Sequence, residues 1–227
     1  MKEKPILFSG PMVRAILEGR KTQTRRVVKP QPPSCYHFVH YRQQDTAWNP
    51  ITGPAGFYAG FDYRPDNPDP SYYRCPYGQP GDRLWVRETW ADTSKESLLC
   101  PVSYRATWPP EDEEGRGFNW QPSIHMPRWA SRIDLEVTGV RVERVQDITE
   151  EDAKEEGCSQ WDMDCPWCLG SGTVRSSIDQ AQPSCPCGLP GMYHYNFRVL
   201  WDSINASRGY GWDANPWVWV VSFRRCE

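Results

Sequence analysis

The stretch Gly19-Arg20-Lys21-Thr22-Gln23-Thr24-Arg25-Arg26 decides how this chain reads. Just before it, Ser9-Gly10-Pro11 opens a short helix, because proline is tolerated in a first turn whose N–H groups have no helical partner. Met12, Ala15 and Ile16 give that helix an apolar side at helical spacing. Gly19 follows Leu17 and Glu18 and suits the left-handed residue that ends a helix. A strand from Thr22 to Val28 comes next, stopped by Lys29-Pro30. Side chains alternate along a strand, so Thr22, Thr24 and Arg26 share a face. Lys21 sits at the bend, where its amine reaches back over that face. An amine, a hydroxyl and a guanidinium then converge on one small volume. Charge clusters are ordinarily solvated turns, so these residues alone leave a surface turn and a site both open.

Further strands follow the same reasoning. Gln79-Pro80-Gly81-Asp82 is a turn signal that launches Arg83 to Trp90, where Leu84, Val86 and Glu88 alternate with Trp85, Arg87 and Thr89. Ile133, Leu135 and Val137 alternate with charged residues until Gly139 breaks the phase. Val140 and Val142 then resume it, which predicts a long strand carrying a bulge. Thr149-Glu150-Glu151-Asp152 is a capping signal for a short helix ended by Gly157. Phe197, Leu200, Trp201 and Ile204 mark a second amphipathic helix. Pro216 to Phe223 reads as a closing strand buried on both faces. Residues 30–80 hold ten of the 22 prolines and keep neither strand nor helix period. An irregular excursion with short strands is expected there, with a lid over the site and a disordered segment both open.

The chain has 227 residues, enough for one domain with a real core, and a single domain over 1–227 is expected. The net charge of −3 argues against strong non-specific duplex binding, while a local basic patch remains open. The start, Met1-Lys2-Glu3-Lys4-Pro5, is followed by too few apolar residues for a signal peptide. No stretch approaches the ~18 apolar residues of a membrane span, so a soluble, cytoplasmic protein without a membrane partner is expected. Twelve Trp and 11 Tyr can build a core and also supply stacking faces for bases.

Nine cysteines without an export signal favour reduced thiols and a metal over disulfides. Cys165-Pro166-Trp167-Cys168 is a knuckle of the kind zinc sites use, and Cys185-Pro186-Cys187 supplies a second pair. Cys165, Cys168, Cys185 and Cys187 are the expected ligands of a structural Zn2+ that pins a cysteine-rich insertion over 158–192. The second pair is tighter than usual, so Cys158 or His194 is an alternative for one ligand.

Gly19, Lys21 and Arg26 resemble the G-x-K-x-x-E/T-x-R signature of ASCH domains, which belong to the PUA-like group. The run Gly81-Asp82-Arg83-Leu84-Trp85-Val86-Arg87-Glu88 and the run from Ile124 through His125, Met126, Pro127, Arg128, Trp129 and Ala130 are similar to those of phage- and prophage-associated members. The resemblance implies an α+β fold: a small β-barrel with flanking short helices, here carrying the zinc-knuckle insertion. Thr24 stands where many members carry Glu; members similar to bacterial N4-acetylcytidine amidohydrolases carry Thr there, and this sequence sides with them. That similarity implies a Lys/Thr/Glu constellation of Lys21, Thr24 and Glu156, with Glu155 the alternative if the register slips. Arg26, Trp85, Arg87, Glu88, His125 and Arg128 are the candidate substrate-binding residues. For Arg87 and Glu88 a buried salt bridge in a strand is an equal reading, and for His125 a bond to a backbone carbonyl.

The three residue types suit acyl transfer. An unperturbed Lys, with a pKa of ~10.4, is no base at neutral pH. Desolvation or a nearby Arg26 lowers it, and a neutral Lys21 can take the Thr24 proton, as in Ser–Lys variants of the catalytic triad. Glu156 would orient the amine or pass a proton to the leaving exocyclic amine, although its charge works against that lowering; accepting from the cytosine N4–H is its alternative role. Hydrolysis of an acyl amide on a modified cytosine nucleoside is therefore one expectation. A non-catalytic module that binds RNA or a modified base is the other. The expected partner is a nucleoside or single-stranded RNA.

Overall fold

A computed structural model describes residues 2–49, 53–62, 71–94, 101–109, 118–158 and 192–226. The framework is a five-stranded mixed sheet. Its strands are β1 (Glu3–Leu7), β2 (Gln23–Val27), β6 (Arg83–Arg87), β9 (Asp134–Arg144) and β10 (Trp217–Arg225), in the order β1-β6-β9-β10-β2. β1 and β6 run parallel and the other neighbours antiparallel. Helix α1 (Gly10–Leu17) connects the two edge strands, β1 and β2. It buries Val13, Ala15 and Ile16, with Met12 only half-buried at its margin. Gly19 takes φ +74°, the left-handed conformation that a residue without a Cβ adopts cheaply.

The sheet has two differently used faces. On one, Ile6, Leu84, Val86, Leu135, Val137, Trp219, Val221 and Phe223 join Val13 and Ile16 in the main core. On the other, Val218 and Val220 pack against Phe197, Trp201 and Trp212 beneath α3 (Met192–Asn205). β10 is thus apolar on both sides because both sides are covered, and each such side chain stabilises the fold by roughly 1.5–3 kcal/mol. Ile204, placed on the same helix, stays exposed. Along β9 the partner of Ser222 is Gly139 while that of Phe223 is Val137, so Thr138 is the extra residue of a bulge.

The expected small β-barrel is not what forms. Among the described residues the sheet is open, with β1 and β2 at opposite ends of its order and no ladder joining them. The chain entering β2 is already paired on that outer edge: Thr22 N–H donates to the Glu155 carbonyl (2.9 Å), and Lys21 forms an antiparallel bridge with Glu156. Pro5, in the middle of β1, has no N–H to offer a further ladder. The two edges meet instead through side chains. Arg26 Nη2 of β2 donates to the Leu7 carbonyl of β1 (2.6 Å). Next to Leu7, Phe8 lies beside Phe223 of the interior strand β10, with ring centroids 6.1 Å apart.

The excursion at 30–80 is also more regular than expected. It contains a three-stranded antiparallel sheet of β3 (His37–Asn49), β4 (Gly53–Asp62) and β5 (Ser71–Arg74). Its Tyr58, Ala59 and Phe61 are buried, and Phe61 meets Trp217 edge-on at 5.0 Å. The Tyr41 hydroxyl accepts from Val142 N–H of β9 at 2.8 Å. Aromatic side chains spread over a sheet face explain why neither simple period was visible. A small ribbon of β7 (Trp90–Asp92) and β8 (Val102–Tyr104) completes the strands, and α2 (Glu150–Glu155) lies at the start of β2.

Candidate functional site

Lys21 is placed by two helix ends. Leaving α1, the backbone N–H groups of Arg20 and Lys21 both donate to the Ala15 carbonyl, at 2.9 and 3.0 Å. From the other side comes α2, capped by the Thr149 hydroxyl, which accepts from Asp152 N–H at 3.1 Å. Glu156 follows α2 and Gly157 turns the chain with φ +84°. A Cβ on Gly157 would stand 2.9 Å from the Cβ atoms of both Ala15 and Lys21, so glycine is needed for space as well as for conformation.

In that pocket of backbone, Lys21 is only 4% exposed. Its Nζ donates to Glu156 Oε2 (2.8 Å) and to the Glu156 carbonyl (2.6 Å). The same Nζ lies 5.5 Å from the centroid of the Phe8 ring. Burial pushes the Lys21 pKa below its ordinary 10.5; Glu156 opposes that lowering and Arg26 adds to it. Glu155 is exposed, so Glu156 is the acid that meets the lysine.

Thr24 and Arg26 point into the main core side of β2, since their register partners on β10 are Val221 and Trp219. Thr24 is buried, and the Arg26 guanidinium carbon lies 5.2 Å from the Phe8 ring centroid. Phe8 therefore has Lys21 and Arg26 around one ring, on the side to which Thr24 turns. Arg26 Nε is buried with no hydrogen-bond partner among the described residues.

The other face of β2 carries a charged network that the sequence reading did not single out. Arg25, whose side chain has no exposed surface, reaches three carboxylates. Its Nη1 donates to Glu156 Oε1 (3.2 Å), its Nε to Glu143 Oε1 (2.9 Å) and its Nη2 to Asp152 Oδ2 (2.9 Å). Arg141 bonds Glu143 Oε2 (3.0 Å) and Asp152 Oδ1 (2.9 Å), and Gln23 Nε2 donates to Asp152 Oδ1 (2.8 Å). Burial raises the Asp152 pKa, but Gln23, Arg25 and Arg141 outweigh it and hold the carboxyl below its usual 3.8. The signal was present in the sequence. Consecutive arginines in one strand must face opposite ways, and a buried guanidinium requires carboxylates nearby.

The remaining candidates are not gathered with Lys21. Leu84 and Val86 turn into the main core, which leaves Trp85 and Arg87 on the outer side of β6. The guanidiniums of Arg87 and Arg128 lie 4.8 and 5.9 Å from the Trp85 ring. Arg87 also donates to the Met126 carbonyl (3.0 Å), and Arg128 pairs with Glu3 and Asp134. His125 is exposed and so is its neighbour Trp129. Glu88 is 1% exposed and takes both its bonds from Arg132, at 2.8 and 3.0 Å. Arg132 in turn lies 3.9 Å from the Tyr104 ring centroid.

Cys165, Cys168, Cys185 and Cys187 lie outside the described residues. Of the alternatives, Cys158 is buried in the apolar cluster beneath α3 and His194 packs edge-on against Trp212 at 5.1 Å. Among the described residues no group of three or more His, Cys, Asp or Glu is placed to hold a metal, and no helix is long and apolar enough to cross a membrane. Comparison with protein-family models, with curated proteins and with solved structures finds no match to this chain.

Proposed function

We propose that this protein hydrolyses an acyl amide on a modified cytosine nucleoside, free or within single-stranded RNA. The observation that carries the reading is the buried Lys21 amine, held by Glu156 and lying over the ring it shares with Arg26, on the side to which Thr24 turns. The resemblance of Gly19, Lys21, Thr24, Arg26 and Glu156 to the ASCH amidohydrolases supports the same assignment.

In the reaction, neutral Lys21 takes the proton of Thr24 Oγ1 as that oxygen attacks the acyl carbon. The carbonyl electron pair moves to its oxygen, where the Arg26 guanidinium offsets the charge. Collapse breaks the C–N bond, and the exocyclic amine leaves with the proton held by Lys21. Water then gives a proton to Lys21 and attacks the Thr24 ester. The threonine oxygen departs with that proton, and the acyl group leaves as a carboxylic acid that ionises. Glu156 aims the amine throughout.

Turnover of N4-acetylcytidine by purified protein, with Lys21→Ala and Thr24→Ala alongside, tests this reading. Loss of activity in both variants is expected. Turnover that survives both overturns the assignment. A second reading, a module that binds a modified base without chemistry, is favoured by the outer group of Trp85, Arg87 and Arg128, where two cations flank one indole. Binding without turnover selects it. The spacing of Cys165, Cys168, Cys185 and Cys187 supports a structural Zn2+ as part of the same proposal.

A further inference from the structure

Glu156 uses its two carboxylate oxygens in opposite directions. Oε2 accepts from Lys21 and Oε1 from Arg25. Lys21, Arg25 and Arg141 stand against Glu143, Asp152 and Glu156, three cations against three carboxylates. That balance closes only while Lys21 is protonated. A neutral Lys21 leaves one negative charge in excess, and Glu156 is the carboxylate beside it. Arg25 is then the cation in bonding contact with that carboxylate.

We propose that Arg25 is a positioning residue of this site: it holds the Glu156 carboxylate from behind and offsets its charge, so that the Lys21 amine is both aimed and able to give up its proton. The inference rests on the reading of Lys21 as the base. Without Arg25, Glu156 has Lys21 as its remaining bonded counter-ion, and the proton stays on the amine. The other groups facing Lys21 are Arg26 from β2 and Cys158 from the segment after α2, together with the uncharged Phe8 ring. Arg25 faces Glu143 from β9, Asp152 from α2 and the Phe197 ring from α3, whose centroid lies 5.7 Å away. Arg141 shares both of those carboxylates.

The test is the titration of the Lys21 side-chain carbon signal by NMR in lysine-labelled protein, assigned by its loss in Lys21→Met. Arg25→Met moves the midpoint to higher pH, so that the neutral fraction of Lys21 at pH 8 falls about tenfold. Arg25→Lys keeps a cation on the strand face but not the three-way fork, and moves the midpoint upward by less than Arg25→Met does. Arg25→Met combined with Glu143→Gln removes one charge of each sign, which guards the fold, and moves the midpoint upward as well. A residue with only a structural role would lower stability and leave the titration in place. An unmoved or lowered midpoint in folded variants overturns the inference, and so does failure of both Met variants to fold, which would make Arg25 a stability residue. The measurement needs no substrate. A moved midpoint without hydrolysis of any acyl cytidine removes the hydrolase reading alone, and hydrolysis with an unmoved midpoint removes this inference alone.

Discussion

Gly157 stands so close to Lys21 that a methyl group between them would lie 2.9 Å from the lysine Cβ. The turn after α2 and the turn after α1 are packed backbone to backbone, and the Lys21–Glu156 bond depends on that approach.

Gly157→Ala is therefore expected to cost about 2–4 kcal/mol, from a left-handed conformation that an L side chain resists and from overpacking against Ala15 and Lys21. Urea unfolding measures it. Gly209, left-handed but with nothing within 4 Å of an added Cβ, is the control, and Gly209→Ala should cost only the conformational part, about 1–2 kcal/mol. Equal costs at both positions would contradict the close-packing account.

Asp152 ties the network to acid stability. Its folded pKa is depressed below 3.8, so the stabilisation it brings is present above that value and is lost as pH falls through the lower, folded one. Asp152→Asn should lower stability at neutral pH by about 1–3 kcal/mol, because Arg25 and Arg141 lose a charged partner. It should also flatten the decline in stability below about pH 4. Chemical unfolding at a series of pH values separates the two effects. Parallel curves for parent and variant would remove Asp152 from the account.

The alkaline side has the same sign in a different window. Lys21 binds its proton less tightly folded than unfolded, so stability rises with pH between its lowered folded pKa and 10.5. Lys21→Met should shrink that rise, leaving the part that Lys4 adds, since burial lowers its pKa as well. A rise of unchanged size in the variant would assign it to other groups.

Much of this site was legible because its signals are local. Gly19, the Thr149 cap and the Thr138–Gly139 bulge each depend on a few neighbouring residues. The pairing of Lys21 with Glu156 followed from matching two short motifs. Barrel closure was not legible. It depends on what meets the outer edge at β2, and here Glu155 and Glu156 pair with Thr22 and Lys21 at its entry from a distant part of the chain. The strands of 30–80 were hidden for a similar reason, since their aromatic side chains pack against residues such as Trp217 rather than alternating with polar ones. The strand period sets Arg25 opposite Arg26, but its partners are not local, since its three carboxylates come from positions 143, 152 and 156.

Thiol chemistry gives a further expectation. Burial raises the Cys75 pKa to about 11, so its thiolate is scarce at neutral pH, whereas Cys35 is exposed. Site-resolved alkylation of the native protein should label Cys35 and spare Cys75. Early labelling of Cys75 would contradict its placement in the main core.

In the proposed reaction Thr24 attacks an acyl group while Lys21 holds its proton. Peptide mass spectrometry of protein quenched during exposure to N4-acetylcytidine addresses it directly. One acetyl group on Thr24 in the parent protein, absent from Lys21→Met, is the expected result. Turnover with the acetyl group on no residue, or on Lys21 in place of Thr24, would contradict it.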